Sequence, residues 1–513
     1  MSTLIHTISS SQCIFSSHFN VHTDPAPSIA IVSPCSLKLM GFEFLPKQSS
    51  CGRLYVPESR CQVVLIARKR FSSSLCRLVV VPVNEDHMRI GQDEDVQQFT
   101  CEELAASEEE YNDEKETSSF KTRLLSFAWR LVRHYVKTFV RIDTDLGFDV
   151  SVSLCMNEIT TSTLHADIAF GLAFCTFLDN MFNANESSTQ RAGRCYKIWK
   201  LCNFNKKNSD FMTFVGISKL ASNCAIRMLS YEDRTGTRRF DLKAVPVRRD
   251  AALIISKQHE MKCDEKVLEH ISRSYVRACK ILRDSSHVFN ETKYEDLNTL
   301  QLDQLERHAT CNSDRMDLKC ARIVAREHDR IRRCVLALQE TQDLVSLGPL
   351  MLESSRDMLE TCRIVMNTTC SKESEDYVVL GSSSSSSSSS RREEDKKHLD
   401  INTLQNHVHG IRMSYFDGIL LCLRRGEKSD VMDLIRRISP SSSLLVTRLG
   451  TSGLKSWEDK KHDDKSVLSM TSKYARIAVL SVAVACWIGG IAYVLQLPPR
   501  RRISSRAQLY RKT

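Results

Sequence analysis

The sequence predicts an α+β protein with a strand-rich N-terminal lobe, a helix-rich C-terminal lobe and one C-terminal transmembrane helix. Short apolar runs rich in β-branched residues dominate the first half of the chain, and longer segments with helical periodicity dominate the second. With 513 residues and 42% hydrophobic content, the chain is long enough to bury one large core or two ordinary ones.

Seven segments are predicted to be strands because they are short and rich in β-branched residues. They are Ile29–Val32, Val63–Ala67, Leu78–Val83, Val150–Leu154, Ala225–Leu229, Ala252–Ile255 and Ile419–Leu423. Five segments have the apolar periodicity of amphipathic helices. They are Leu124–Arg141, Ala166–Phe182, Glu265–Leu282, Leu318–Gln339 and Val431–Ile438.

Two polar segments interrupt the body. Residues 102–116 carry eight acidic side chains and one lysine, which favours a solvated loop over an acidic interaction patch. The serine run Ser382–Ser390 and the charged residues around it form a low-complexity insertion over residues 381–398. This insertion is predicted to be a flexible spacer, with phosphorylation of its serines as the alternative.

Residues 477–497 form a run of 21 residues without a charge, long enough to cross a hydrocarbon core of about 30 Å. A buried core helix is the alternative, but the basic residues that flank the run favour a membrane span. The first 25 residues lack the charged and apolar regions of a secretory signal. We therefore expect a single-pass, tail-anchored protein with a cytosolic body.

The distribution of Lys and Arg opposes this orientation, because the basic tail 498–513 would favour the cytosolic side. A short basic tail after a moderately apolar span is also similar to the tail anchors of outer-mitochondrial and peroxisomal proteins. Those two membranes are therefore the expected locations.

The net charge of +10 is concentrated in the C-terminal tail, so it gives little support to a nucleic-acid partner. The segment Lys319–Arg333 contains seven basic side chains, counting His328, beside an apolar face. Because no aromatic residues for base stacking accompany them, a solvated basic face is favoured over a nucleic-acid site. The 20 cysteines include no CxxC pair, and we expect mostly reduced, buried thiols.

Several stretches occur in the order and spacing of one sugar-kinase family. The segment Ser33–Glu43 is similar to the signature APGRVNLIGEH, with Pro34, Leu39 and Gly41 identical. In this segment and in the order of its other motifs, the chain resembles galactokinase, a member of the GHMP small-molecule kinase superfamily. The resemblance places sugar-binding positions at Ser36, Phe42, Glu43 and Leu45. The family has arginine, glutamate, histidine and aspartate there, so the usual sugar contacts are replaced.

The segment Ser153–Thr163 is similar to the family's phosphate-binding motif DVPxGAGLSSSA. The resemblance places nucleotide-binding positions at Asn157, Ile159, Thr161, Ser162 and Thr163, and metal positions at Thr163 and Asp167. Asn157 and Ile159 stand at the two glycine positions, where a β-branched residue does not readily adopt a positive φ. The Thr-Ser-Thr string alone is also a common helix N-cap pattern.

A third stretch, Met212–Phe214, aligns with the family's MDQF, in which the aspartate removes the proton from the attacking sugar hydroxyl. Thr213 stands at that position, and a neutral threonine hydroxyl does not act as a general base. Asp210, three residues upstream, could substitute if the loop shifts. A solvated surface aspartate is the alternative.

Further similar segments lie in the helical half of the chain. They are Ser274–Leu282, Leu302–Leu305, Ala325–His328, Leu350–Ser355, Gly410–Ser414 and Leu445–Arg448. The resemblance covers about residues 28–455, and together with the uncharged run at residues 477–497 it predicts six parts. These are an N-terminal extension 1–27, an N-terminal kinase-like lobe 28–245, a C-terminal kinase-like lobe 246–455, a linker 456–476, the transmembrane helix 477–497 and the basic tail 498–513.

The resemblance implies an ancestral ATP-dependent phosphorylation of a sugar such as galactose or N-acetylgalactosamine, with ATP and Mg²⁺ as cofactors. Because the base, the sugar-binding ionic groups and two glycine-rich motifs are replaced, we expect catalysis to be weak or absent. The favoured interpretation is a membrane-tethered pseudokinase with an unidentified protein partner. The alternative is an active kinase with an altered substrate, in which residues 161–163 still bind phosphate or Mg²⁺.

Overall fold

The chain divides into two units, residues 1–458 and 459–513. The computed structural model describes much of the first unit and none of the second. The described residues are 2–19, 28–41, 51–70, 73–84, 88–90, 96–100, 102–103, 119–139, 147–202, 204, 211–219, 224–232, 238–247, 251–257, 273–274, 277, 312–357, 408–414, 419–424, 432–433, 435–436, 443–449 and 455–458.

The described part of the first unit contains strands and helices in runs of one to four elements of the same kind. The strands are β1 (Ser28–Gly41), β2 (Cys51–Arg70), β3 (Leu75–Val83), β4 (Gln97–Thr100), β5 (Gly147–Cys155), β6 (Cys224–Glu232), β7 (Arg238–Pro246), β8 (Ala251–Lys257), β9 (Val408–Ser414), β10 (Ile419–Arg424), β11 (Ser443–Leu449) and β12 (Lys455–Glu458). The helices are α1 (Ser2–Phe19), α2 (Phe120–Phe139), α3 (Glu158–Thr163), α4 (Ala166–Phe182), α5 (Ser188–Trp199), α6 (Phe211–Lys219) and α7 (Asn312–Thr341).

The strands form two groups that meet at one point. The long strand β2 organises the first group, because it pairs with β1, β5 and β6, while β3 runs parallel to β5 and β12 pairs with β1. The second group has the antiparallel order β11-β8-β10-β9. Within the described residues, one residue pair, Leu449 with Glu58, joins the groups. Strand β7 ends at Pro246, within the single unit 1–458, and the predicted lobe boundary at residue 245 stays a prediction.

Strands β2 and β3 are buried on both faces, as their continuous apolar runs require. On one face, Val63, Leu65 and Val80 pack with aromatic residues of α2 and α4 in the main core. On the other face, Val64 and Ile66 pack under α1. The N-terminal extension 1–27 therefore contains a helix that covers the outer face of this sheet.

The mixed α+β class is confirmed, and all seven predicted strands lie within observed strands. The predicted helix Ala166–Phe182 has the observed bounds of α4, and α7 contains the predicted helix Leu318–Gln339. Most of the predicted helix Glu265–Leu282 and the whole insertion 381–398 lie outside the described residues.

Among the residues that the structure describes, no helix is long and apolar enough to span a membrane. The predicted span 477–497 lies outside them.

Candidate functional site

Thr213, at the position of the family's general base, lies in the first turn of α6 and is fully buried. Two side chains of β2 reach its hydroxyl oxygen. Arg53 donates a hydrogen bond from Nη1 to Thr213 Oγ1 across 3.3 Å. The Tyr55 hydroxyl lies 3.4 Å from the same atom. A threonine hydroxyl held by a guanidinium and a phenol is a poor acceptor for a substrate proton.

The pleat of β2 explains why Arg53 and Tyr55 point the same way. They are two residues apart, so both side chains lie on one face of the sheet. Lys38 of β1 is the direct cross-strand partner of Tyr55 and shares that face. The opposite face points to α7, because a Cβ placed on Gly52 would lie 3.1 Å from Ile331 Cδ1.

Ser36, one of the predicted sugar-binding positions, lies two residues before Lys38 in β1 and is fully buried. Its backbone N–H donates to the Leu164 carbonyl oxygen across 2.9 Å. Its hydroxyl has no hydrogen-bond partner among the described residues. His165, the residue after Leu164, has a left-handed backbone with φ of 49°. The centroid of its ring lies 5.9 Å from the ring centroid of Tyr55. The junction between α3 and α4 therefore lies over Ser36 and Tyr55.

The segment similar to the phosphate-binding motif forms a short helix, α3. Asn157 caps it, because its Oδ1 accepts a hydrogen bond from the Thr160 backbone N–H across 2.7 Å. Ile159 is buried, and the Thr161 hydroxyl donates to the Glu158 carbonyl oxygen across 3.1 Å. The Asn157 cap thus satisfies the Thr160 amide within the protein, and the buried Ile159 side chain fills space that a glycine would leave open.

The two predicted metal positions, Thr163 and Asp167, lie on either side of the junction between α3 and α4. Asp167, in the first turn of α4, accepts a hydrogen bond at Oδ2 from Trp199 Nε1 across 2.7 Å. Burial raises the pKa of the Asp167 carboxyl, against the opposing effect of the Trp199 hydrogen bond. Within the described part of the chain, no group of three or more His, Cys, Asp or Glu side chains could hold a metal ion. Thr163 is half-buried in α3 and adds no carboxylate to Asp167.

The predicted site is thus partly assembled. The structure brings Ser36 and Thr213 to the same face of the sheet, next to the junction that follows Thr163. Phe42, Glu43, Leu45 and Asp210 lie outside the described residues, as does the side chain of Ser162. The sequence prediction missed Arg53 and Tyr55. Their two-residue spacing, alternating with the aliphatic residues Leu54 and Val56, was the available signal that both share a face.

A buried ionic cluster supports the end of β1 next to this face. Glu327 of α7 accepts hydrogen bonds from the Gly41 backbone N–H at 3.1 Å, from Arg330 Nη1 at 2.8 Å and from Ser354 Oγ at 2.8 Å. Although burial opposes ionisation, Arg412 and Arg330 hold the pKa of Glu327 below its usual range. The cluster combines three of the segments similar to the kinase family, at Glu327, Ser354 and Arg412.

No protein-family model matches the sequence, and no curated protein matches it. Solved structures do match. Galactokinase of Lactococcus lactis, complexed with galactose, has a TM-score of 0.53 at 16% identity, covering 86% of this chain and 99% of that one. Mevalonate kinase of L. major has a TM-score of 0.44 at 12% identity, covering 82% of this chain and 96% of that one. A D-glycero-D-manno-heptose 1-phosphate kinase of Bacteriodes thetaiotaomicron has a TM-score of 0.44 at 7% identity, covering 84% of this chain and 100% of that one.

The likeness to galactokinase shows a shared fold, because the TM-score exceeds 0.5 and the matched region covers almost all of that enzyme. An identity of 16% shows the fold alone and not the activity. The chain therefore has the fold of the GHMP small-molecule kinases, and the resemblance detected in the sequence extends to the three-dimensional structure.

Proposed function

We propose that this chain is a membrane-tethered, galactokinase-like pseudokinase, a protein of the sugar-kinase fold that no longer transfers phosphate. The observation that carries the proposal is the buried Thr213 hydroxyl, contacted by Arg53 and Tyr55, at the position of the family's general base. Phosphoryl transfer needs a group that accepts or orients the attacking hydroxyl's proton. Around Thr213, this site has the Arg53 guanidinium and the Tyr55 hydroxyl, which are hydrogen-bond donors.

Two further observations support the loss of transfer. The helix capped by Asn157 occupies the place of the glycine-rich loop, and the Thr160 amide bonds to its own cap. The Asp167 carboxylate bonds to Trp199, although the resemblance places a metal ligand there. If ATP and Mg²⁺ bind, as the fold family suggests, they bind without the usual contacts. A pseudokinase of this kind acts through an unidentified protein partner.

The decisive experiment is a turnover assay on the full-length chain with MgATP and galactose or N-acetylgalactosamine. We expect no sugar phosphate above the level of an enzyme-free blank. Turnover that is lost in Thr163→Ala and Asp210→Asn, in chains that still melt cooperatively, would overturn the proposal. It would establish the alternative, an active kinase with an altered substrate.

The proposed attachment of the chain to a membrane depends on the uncharged run at residues 477–497. We expect the full-length chain to stay in the membrane pellet after alkaline carbonate extraction. Val484→Arg, which places a charge in the middle of the run, should release a measurable fraction to the supernatant. Extraction of the unaltered chain into the supernatant would contradict the tether.

A further inference from the structure

Three arginines surround one buried carboxylate at the C-terminal end of β2. The carboxylate is that of Asp149 in β5, whose direct cross-strand neighbours are Arg68 in β2 and Arg77 in β3. Residues opposite each other in a sheet point to the same face. Arg70 follows Arg68 by two residues, so its side chain lies on that face as well. It is the outer face of the sheet, which α1 covers at Val64 and Ile66.

The path of the chain before β3 brings the three arginines together. Ser73 passes over the start of β5 at Gly147, where an added Cβ would lie 2.3 Å from the Ser73 carbonyl oxygen. Only glycine allows so close an approach. Because of this crossing, β2 and β3 lie on either side of β5. Arginines from both strands therefore reach the same Asp149.

The hydrogen bonds of Asp149 go to two of the three arginines. Arg77 Nε donates to Asp149 Oδ1 across 2.7 Å, and Arg68 Nη2 donates to Oδ2 across 3.0 Å. Arg70 Nη1 lies 3.6 Å from Oδ1, and this nitrogen has no hydrogen-bond partner within the described residues. Three guanidinium groups thus face one carboxylate, and these four side chains together have a net charge of +2.

The surplus charge lies within reach of solvent. The exposed fractions of the side chains are 15% for Arg68, 23% for Arg77 and 29% for Arg70, whereas the Asp149 side chain is fully buried. The guanidinium carbon of Arg77 lies 4.9 Å from the ring centroid of Phe19, the last residue of α1. The cluster therefore lies where the cover of α1 ends. An anion that approaches from solvent meets guanidinium groups, with the carboxylate beneath them.

The net charge and the donors favour a phosphate group over a carboxylate. A phosphomonoester carries close to two negative charges at neutral pH, so it can balance the whole surplus, whereas one carboxylate balances half of it. The planar guanidinium group also matches two phosphate oxygens at once.

We propose that Arg68, Arg70 and Arg77 bind a phosphomonoester group on the outer face of the sheet, with Arg70 as the principal contact. A free phosphorylated metabolite and the headgroup of an acidic lipid both present this group. The inference goes beyond the proposed function. It uses none of the residues around Thr213 and does not depend on the loss of phosphoryl transfer.

Calorimetric titration of the full-length chain in neutral detergent tests the site, at a salt concentration of about 0.15 M to screen non-specific attraction. The first probe is sn-glycerol 3-phosphate. The second is mixed micelles that contain dioctanoyl phosphatidic acid, which has the same headgroup on acyl chains. Micelles with dioctanoyl phosphatidylcholine instead are the control, because choline neutralises their phosphate.

We expect at least one phosphomonoester probe to bind and the phosphatidylcholine micelles not to bind. Equal affinities of glycerol 3-phosphate and phosphatidic acid would support the site and indicate a free metabolite. Tighter binding of phosphatidic acid would support it and indicate a lipid headgroup. No binding by either phosphomonoester, or equal binding of phosphatidylcholine, would overturn the proposal.

Variants assign the binding to Arg70. Arg70→Gln removes the surplus charge but keeps both hydrogen bonds of Asp149, so the variant should still melt cooperatively while its affinity for the phosphomonoester falls about tenfold or more. Arg70→Lys, which keeps the charge, should retain part of the affinity. Lys69→Gln is the matched control, because it removes the same charge one residue away on the opposite face of β2. Its affinity should stay close to that of the unaltered chain. Equal losses in Arg70→Gln and Lys69→Gln would show attraction to the overall charge alone and overturn the site.

Discussion

Arg412 Nη2 lies 3.7 Å from Glu327 Oε1, and both side chains are almost completely buried. Both also bind the end of β1. Arg412 donates from Nη2 to the Gly41 carbonyl oxygen at 2.7 Å and from Nη1 to the Leu39 carbonyl oxygen, while Glu327 accepts from the Gly41 N–H. One ion pair thus connects β9, α7 and the strand that carries Ser36.

Replacement of Glu327 by Gln should be strongly destabilising. Gln keeps the size of the side chain but removes the buried carboxylate charge that faces the guanidinium groups of Arg330 and Arg412. Arg330 keeps its ion pairs with Asp357 and Glu353. Breaking a buried ion pair in this way costs on the order of 3–5 kcal/mol. Urea unfolding would measure the loss. Arg333→Gln, which breaks an exposed pair, should cost less than about 1 kcal/mol, and equal losses for the two variants would contradict the argument.

The stability of the protein should fall between about pH 6.5 and pH 4.5 because of His328. Burial lowers the pKa of His328 to about 4, and its Nε2 accepts a hydrogen bond from the Gly52 N–H across 3.1 Å. The folded state therefore binds fewer protons than the unfolded state in this window. The stabilising effect is complete above the unfolded pKa and decreases as the pH falls.

Chemical denaturation at a series of pH values would measure this slope. His328→Gln keeps a hydrogen-bond acceptor for the Gly52 amide but does not titrate. Its slope between pH 6.5 and 4.5 should be smaller than that of the unaltered chain. The idea would fail if both proteins lost stability in parallel.

Much of the fold could be predicted from apolar pattern, and much of the site could not. The helix Ala166–Phe182 is nearly continuous in buried residues and was predicted to the residue. The predicted segment Ile29–Val32 is shorter than strand β1, because Pro34, Ser36 and Lys38 interrupt the apolar pattern of its second half. These residues are tolerated in the strand since the long strand β2 pairs with it along its length.

The contact between Arg53 and Thr213 joins residues that are 160 positions apart, so no local pattern could announce it. Helix α1 was missed for another reason. Its sequence is rich in serine and its apolar residues, such as Ile14 and Phe15, have little to distinguish them until the sheet face that they cover is known. Tertiary packing, and not helix propensity, stabilises it.

Gly348→Ala should be severely destabilising, because the backbone of the helical segment 348–357 passes unusually close to β9. A Cβ on Gly348 would lie 2.0 Å from the His409 carbonyl oxygen, so one of two backbones must move. We expect a loss of about 1–3 kcal/mol or more.

Gly193→Ala is the matched control for that substitution. Gly193 lies within α5, and an added Cβ would make an ordinary 3.6 Å contact with Phe211. The change should stabilise the protein by about 0.5–1 kcal/mol, because alanine favours the helix. Thermal unfolding would compare the two variants, and a similar shift in both would refute the close approach.

Asn157→Ala should remove the cap of α3. The Thr160 N–H loses its acceptor at Asn157 Oδ1, which costs about 1 kcal/mol. Thr161→Ala is the control, since the Thr161 hydroxyl donates to the nearby Glu158 carbonyl oxygen on the exposed side. The free energy of unfolding of this variant should lie within about 0.5 kcal/mol of that of the unaltered chain. Denaturant midpoints for both variants would check the difference, and a larger loss in the Thr161 variant would reverse the assignment.

The short strand β12 determines where the chain can be truncated without exposing an edge of the sheet. Lys455–Glu458 pairs with residues 29–32 of β1, on the side of β1 that faces away from β2. A truncation before Lys455 would leave the backbone amides and carbonyls of Ile29–Val32 open to the strands of other molecules. The fragment would then be prone to aggregate for reasons unrelated to its activity, so a soluble fragment should end after Glu458.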